Sequence, residues 1–538
     1  MSEHGPQDWV GDWSARRATL SPDRVGLVDT TTDREYTYRD LDRRANRCAR
    51  LLAEHDVTRS GGEHDVRGGN DAGARVAIVS RNRPAFVDLF FATGKTGGVL
   101  APLSHRLAPP ELAELLDDVA PELLVVEAPF AESVRTAIDE CDVDCPVISL
   151  PVEDETVETP ASWNPYETVL PDDDTAFDGP ALDPSDPHLF LHTGGSTGTP
   201  KETVISHEAI VWNATNTVTA WGLRADDVTP LTFPMFHTGG WNVLTVPLFH
   251  MGGTVAIARE FDSGEVLGLI EERSATLLVA VPAVLRMMVE HDEWAATDVS
   301  TLRFAKSGGG PCRESVLSAW WDRGIELSQG YGLTESGPNN FAMPDDWPRE
   351  KASTVGVPNL HVDVRIVDDD GTELPSGEVG ELEIRSPHSA TGYWHRPEAT
   401  EGTFSPDGWV STGDLARIDE DGYVSIEGRK KNMYVSGGEN VFPAEVEDAI
   451  ADHPTVSDVV VVPVDDERWG QVGKAVVVGD DSLTLDALTE FLDGRLARFK
   501  RPRALAFVDE LPRSGPDKID RDAVAATFGS SANSSRER

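Results

Sequence analysis

The sequence predicts an α/β protein: a large N-terminal domain of parallel α/β sheets with a small β subdomain, then a small α+β C-terminal domain. Three observations carry this reading. From Ala74 onward, short apolar runs alternate with amphipathic helical segments, the rhythm of parallel βαβ units. Between about 355 and 427 the pattern turns to short β segments punctuated by Asp370-Gly371, Asp407-Gly408 and Asp421-Gly422, dipeptides that favour tight turns. After Arg429 the helix and strand signals resume on a smaller scale.

Each element follows from local pattern. Thr37 with Asp40 resembles a capping box, and the helix it opens places Leu41, Ala45, Cys48 and Leu52 on one face. The polar, glycine-rich segment 60–73 reads as a solvent loop. Strands are predicted at 76–79, 123–126 and 147–150, with helices at 84–93 and 131–140. Residues 151–187 are acidic and proline-rich, a surface loop. The run Leu189-Phe190-Leu191 reads as a buried strand. Further strands are predicted at 277–281, 303–305 and 324–327, between helices at 282–290 and 314–321. The last region carries a helix at 443–453 with Val446 and Ile450 inward, a strand at 459–462, a helix at 485–496 and a strand at 504–508. Residues 530–538 are polar and read as a disordered tail. No internal repeat is present.

Charge narrows the partners. The 538-residue chain carries 93 acidic against 47 basic residues, a net charge of −46. Nucleic acid needs a basic footprint and is excluded; anionic membrane surfaces are disfavoured likewise. Only nine of the basic residues are lysine. An acid-coated, lysine-poor surface suits a salt-rich cytoplasm, where screening relieves self-repulsion, so a halophilic protein is expected. Cys141 and Cys145 form a C-x-x-x-C spacing without a second pair, and the four cysteines read as buried apolar thiols rather than a disulfide or zinc framework. The N-terminus lacks an apolar signal core, and no run approaches the roughly 20 apolar residues of a spanning helix. A soluble cytoplasmic protein is expected, its oligomeric state open with a homodimer among the options.

The predicted strand around Phe190 runs into Thr193-Gly194-Gly195-Ser196-Thr197-Gly198-Thr199-Pro200-Lys201, three glycines and four hydroxyl residues in seven positions closed by a lysine. Glycines let backbone N–H groups approach an anion, hydroxyls add neutral donors, and lysine adds a point charge suited to phosphate. The spacing is not that of a Walker A loop, because Thr199-Pro200 separate Gly198 from Lys201 and Glu202 follows. A nucleotide phosphate held in another way is implied. Gln329-Gly330-Tyr331-Gly332-Leu333-Thr334-Glu335 then offers an aromatic face, flexible backbone, a hydroxyl and a carboxylate, and a carboxylate beside phosphates suits Mg²⁺.

These two segments together resemble the signatures of the adenylate-forming enzymes, the superfamily of acyl-CoA synthetases, peptide-synthetase adenylation domains and luciferases. Residues 193–201 are similar to its T-S-G-T-T-G-x-P-K motif and residues 329–335 to its Y-G-x-T-E motif. The resemblance runs through nearly the whole chain in order. It implies that Thr193, Gly194, Gly195, Ser196, Thr197, Gly198 and Lys201 hold the ATP phosphates. Ser307-Gly308-Gly309-Gly310-Pro311 would lie along the adenine and the acyl pocket. Gln329, Gly330, Tyr331 and Gly332 would frame the adenine, with Tyr331 stacking on it and Gly308 and Gly332 also facing the acyl group. Thr334 would contact the α-phosphate, and Glu335, with Thr197, would hold Mg²⁺. Asp414 in Trp409-Val410-Ser411-Thr412-Gly413-Asp414 would accept the ribose hydroxyls, with Arg429 nearby.

The same resemblance places His237 in Phe233-Pro234-Met235-Phe236-His237-Thr238-Gly239-Gly240-Trp241-Asn242, steering the acid or gating its pocket, with Thr238, Gly239 and Trp241 beside the acyl group. Lys431 would be the hinge, Ser436, Gly437 and Gly438 would line a pantetheine tunnel, and Lys518 would be the catalytic lysine of a mobile lid. The implied organisation is an AMP-binding domain over 1–428, a hinge at 429–431, a lid over 432–529 and a tail at 530–538. Gly194 stands where serine is frequent, and Asp517 replaces a glycine, adding negative charge beside Lys518.

The expected activity is ATP-dependent acid–CoA ligation through acyl-AMP. CoA is the expected acceptor because no carrier domain follows and the 436–440 segment is of acyl-CoA synthetase type. Apolar pocket segments suggest a medium- or long-chain fatty acid. An aryl acid (cinnamate, benzoate or succinylbenzoate) is the alternative, and a non-catalytic acyl-adenylate-binding protein a more distant one.

Overall fold

The computed structural model describes residues 10–59, 73–152, 157, 159–193, 201–436, 439–466, 468–513 and 519–529. The chain divides into two compact units, residues 1–363 with 384–411, and residues 364–383 with 412–538. The β segments expected as a subdomain of the N-terminal region thus fall largely in the second unit. Segments 60–72, 194–200 and 530–538, and with them most of the expected solvent loop and the whole tail, lie outside the described residues.

An eight-stranded sheet organises the first unit. Its order is Gly392–Tyr393, Lys201–Ser206, Pro187–Thr193, Val99–Leu103, Arg75–Val79, Leu123–Glu127, Val147–Leu150 and Asn164–Pro165. The pairs from Pro187–Thr193 onward are parallel, and the two at the other edge are antiparallel. Both faces are covered, which is why these strands read as near-continuous apolar runs. On one face Val76, Ile78, Leu100, Leu189 and Leu191 pack against Tyr38–Glu54 and Pro84–Thr96. On the other Ala77, Val79, Ala101, Phe190 and Val204 pack against Pro109–Val119 and Ala131–Asp139.

The capping box is present: Asp40 N donates to Thr37 Oγ1 at 3.2 Å and Thr37 N to Asp40 Oδ2 at 3.0 Å. Leu41, Ala45, Cys48 and Leu52 are buried as expected. A second sheet orders Val228–Leu231, Thr254–Ile257, Val25–Asp29 and Arg34–Thr37, and a third sets Leu277–Ala280, Phe304–Ser307 and Leu327–Gln329 in parallel.

Most of a sheet of Asp363–Val367, Gly380–Arg385, Val410–Ile418 and Val424–Arg429 falls in the second unit. Its other sheet is built on the long antiparallel pair Val456–Asp466 and Gly470–Gly479. Val446 and Ile450 of Pro443–Ala451 are fully buried there, as expected.

Several expectations shift. The strand placed at 324–327 is Leu327–Gln329, because Gly324 lies in the turn that follows the helix Glu314–Trp321, with φ 79° and its N–H donated to Trp321 O. The helix placed at 485–496 stops at Phe491. Residues 151–187 include a short helix, Tyr166–Val169, whose Tyr166 is buried against Asp88 and Cys48. All four thiols are free, but only Cys48 and Cys312 are buried, since Cys141 and Cys145 sit at the rim of a cluster. Gly470–Gly479 escaped sequence reading because its polar and glycine positions hide the β pattern.

Candidate functional site

In the first unit the segment 194–200 is bracketed by strand pairing. Thr193 stands opposite Lys201 and His192 opposite Glu202 in the antiparallel register. Gly194, Gly195, Ser196, Thr197 and Gly198 themselves lie outside the described residues. Lys201 Nζ lies 5.1 Å from the centre of the Tyr393 ring, and the Tyr393 hydroxyl donates to Glu335 Oε1 at 2.8 Å. The expected phosphate lysine and the expected metal carboxylate therefore meet on one tyrosine. Gly392–Tyr393 reaches this point by pairing as the edge strand beside Lys201–Ser206, and Ala390 N donates to Glu335 O at 2.8 Å.

Tyr393 was not singled out from the sequence. Its only signal there is an aromatic after glycine in a β-rich stretch. Glu335 is partly exposed, and an oxygen donor of this kind, with a threonine hydroxyl, has the hard character Mg²⁺ requires.

The adjoining strand ends carry the residues that the resemblance assigns to the adenine. Gly330 N donates to Ser307 O at 2.7 Å, tying the 307–311 and 329–335 segments together. Gln329 Oε1 accepts from Cys312 N at 2.9 Å, and its Nε2 donates to Ala352 O at 2.8 Å. Gln329 is thereby a brace rather than an open donor. Gly308 is partly exposed and Gly309, Gly310 and Pro311 are exposed. Gly332 admits no side chain, since a Cβ there would lie 2.2 Å from Pro338 O. Tyr331 is partly exposed and meets Phe341 edge-on, while Thr334 is buried.

His237 is exposed, and its Nδ1 accepts from Gly239 N at 3.0 Å. That bond leaves the ring proton on Nε2, a donor suited to a carboxylate. Gly239–Val243 forms a π-helical turn, a geometry that recurs at functional sites. Thr238 and Gly239 are buried, and Trp241 is fully so, its ring stacked on Phe90 at 4.9 Å and its Nε1 donating to Met235 O. Trp241 supports the turn from the core.

In the second unit Asp414 and Arg429 are cross-strand partners, with Arg429 Nε 2.8 Å from Asp414 Oδ1. Arg429 also donates to Thr412 O at 3.0 Å. Asp414 is only 4% exposed. Lys430 Nζ binds Asp369 at 2.9 Å and Glu381 at 3.0 Å, contacts that raise its pKa. Lys431 Nζ lies 3.5 Å from Asp522. Ser436 is 1% exposed and its Oγ has no partner. Gly437, Gly438 and Lys518 lie outside the described residues. Arg513 and Ile519, on either side of 514–518, pair as an antiparallel bridge. Among the described residues no group of side chains forms a metal cluster, and no helix is long and apolar enough to cross a membrane.

Residues 14–394 match the AMP-binding enzyme family and residues 445–518 the AMP-binding enzyme C-terminal domain. The chain belongs to this family of AMP-binding enzymes, as the motif resemblance implied. It is 35% identical over 522 residues to a feruloyl-CoA synthase of Amycolatopsis sp, covering 97% of this chain and 99% of that one. It is 34% identical over 514 residues to the long-chain-fatty-acid–CoA ligase FadD13 of Mycobacterium tuberculosis, covering 95% and 96%. The fold is similar to that of ATP-bound MatB from Rhodopseudomonas palustris, with a TM-score of 0.83, 29% identity and coverage of 96% and 99%.

Proposed function

We propose that the chain joins a carboxylic acid with an apolar body to CoA through an acyl-adenylate. The activity is AMP-forming acid–CoA ligation, with ATP and CoA as substrates. The acid's carboxylate attacks the α-phosphorus of ATP and pyrophosphate leaves; the CoA thiol then attacks the acyl carbonyl and AMP leaves. The observation that carries this reading is the meeting of Lys201 and Glu335 on Tyr393, beside strand ends joined through Gly330 and Ser307.

Lys201 and Thr193 receive the outer phosphates, and Thr334 the α-phosphate. His237 Nε2–H orients the incoming carboxylate. Lys518 touches both anions as they converge, stabilising the transition state more than the ground state. Asp414 accepts the ribose hydroxyls. Glu335 and Thr197 would hold Mg²⁺, which when bound neutralises phosphate charge. The organisation into a 1–428 domain, a hinge and a 432–529 lid belongs to this reading.

The acid is narrowed less sharply, since relatives of nearly equal identity are named for an aryl and a long-chain acid. An aryl acid bearing a hydrogen-bond donor is favoured by one observation. Asn213 Oδ1, Asn242 Oδ1 and Thr245 Oγ1 are buried without partners around the π-helical turn that follows His237, and an alkyl chain satisfies none of them. Pyrophosphate release with CoA in molar KCl, across hydroxycinnamic, benzoic and fatty acids, tests both statements. Activity on saturated fatty acids alone refutes the narrower one, and no pyrophosphate with any acid refutes the whole.

A further inference from the structure

Glu202 follows Lys201 on the strand Lys201–Ser206 and is fully buried, with neither carboxyl oxygen hydrogen-bonded. Alternation along the strand sends it to the face shared with Val204, Phe190 and Trp394, opposite the Lys201 side chain over Tyr393. Among the described residues no cation pairs with it. Across the register stands His192, whose Nδ1 is buried without a partner, while burial and the nearby His237 hold the ring below the usual imidazole range.

From Pro109–Val119 comes Asp118, a second carboxylate, bound by Arg396 at 3.0 Å and near His395 at 3.7 Å. Arg75 lies over the Trp394 ring and is paired with Glu122 at 3.4 Å. Trp394 closes the pocket, its N donating to Glu202 O and its Nε1 to Asp118 O. The cations here are thus committed to Asp118 and Glu122. Burial, reinforced by Asp118, pushes the Glu202 carboxyl up to about 8.

We propose that Glu202 is a positioning residue for Lys201 and Thr193, and that its carboxyl must keep its proton for the triphosphate to bind. In the neutral form Lys201 meets the phosphates with its charge undiminished. Ionisation places an uncompensated charge one residue from that lysine and beside Asp118. It also draws water or a counterion into the strand pair that aligns Thr193 with Lys201. Both effects fall on ATP binding rather than on turnover.

The proposal rests on the adenylation reading, and the test separates the two. ATP–pyrophosphate exchange is measured from pH 6.5 to 9.5 in molar KCl, without CoA, so that the thiol's own titration does not enter. In the native enzyme KM for ATP is expected to rise about tenfold between pH 7 and pH 9, the course of one ionisation near 8, with kcat little changed. Glu202→Gln removes the rise. Asp118→Asn moves its onset to lower pH by removing the neighbouring charge, and keeps the test open should the Gln variant fail to fold. A rise that survives in Glu202→Gln, or one that Asp118→Asn leaves in place, overturns the proposal. Absence of exchange in the native enzyme with every acid overturns the functional reading instead.

Discussion

The Tyr393 hydroxyl donates to Glu335 at 2.8 Å while Lys201 sits over the same ring, 5.1 Å from its centre. One side chain thereby links the proposed phosphate lysine with the proposed metal carboxylate. Tyr393→Phe keeps the ring and deletes the hydrogen bond. A hydrogen bond to a charged group contributes about 1.5–3 kcal/mol, so kcat/KM for adenylation should fall about 10- to 100-fold with the melting temperature little changed. An unchanged rate in the Phe variant removes Tyr393 from the machinery.

Lys518→Ala should abolish adenylation, with a loss on the order of 10²–10³ or more for one preorganised donor, yet largely spare thioester formation from supplied acyl-AMP. Measuring the two half-reactions separately decides it; equal loss in both contradicts a role confined to the first.

Asp414 is nearly buried and paired with Arg429. Asp414→Asn should raise KM for ATP about 10- to 100-fold, from weaker charged hydrogen bonds, and narrow the preference for ATP over 2′-deoxy-ATP. Retained discrimination between the two nucleotides places the ribose elsewhere.

His188 and His207 are fully buried and stacked at 4.2 Å, with rings 15° apart. Burial lowers His188 to about 4 and His207 well below its usual value. Their neutral forms are native, so the unfolded chain takes up protons first. The stability they permit is whole above an ordinary histidine value of about 6.5 and is lost as pH falls from there toward 4. Each should cost about 1 kcal/mol between pH 6 and pH 5. Denaturant titrations of native protein and His207→Phe should show a shallower loss in the variant, and parallel curves refute it.

With a net charge of −46, self-repulsion should dominate stability in dilute buffer. The melting temperature is expected to rise between dilute and molar KCl as screening shortens the range of that repulsion. A flat response argues against salt adaptation.

Much of the fold was legible because its signals are local. Thr37 and Asp40 declare a capping box three residues apart, and Val446 and Ile450 declare a helix face. The mistakes lie where a local pattern served two purposes. Gly324 opens an apparent strand yet sits in the turn after a helix, and Lys474 and the glycines disguise the strand Gly470–Gly479 although Lys474 is fully buried.

Sequence alone determined the family, since its motifs at 193–201 and 329–335 are read within short windows. Tertiary structure alone decided that Tyr393 lies between Lys201 and Glu335, that His188 faces His207, and that Glu202 loses its water beside Asp118. Those outcomes depend on which distant strands and helices pack together and how much solvent they exclude, and no short window of residues encodes either.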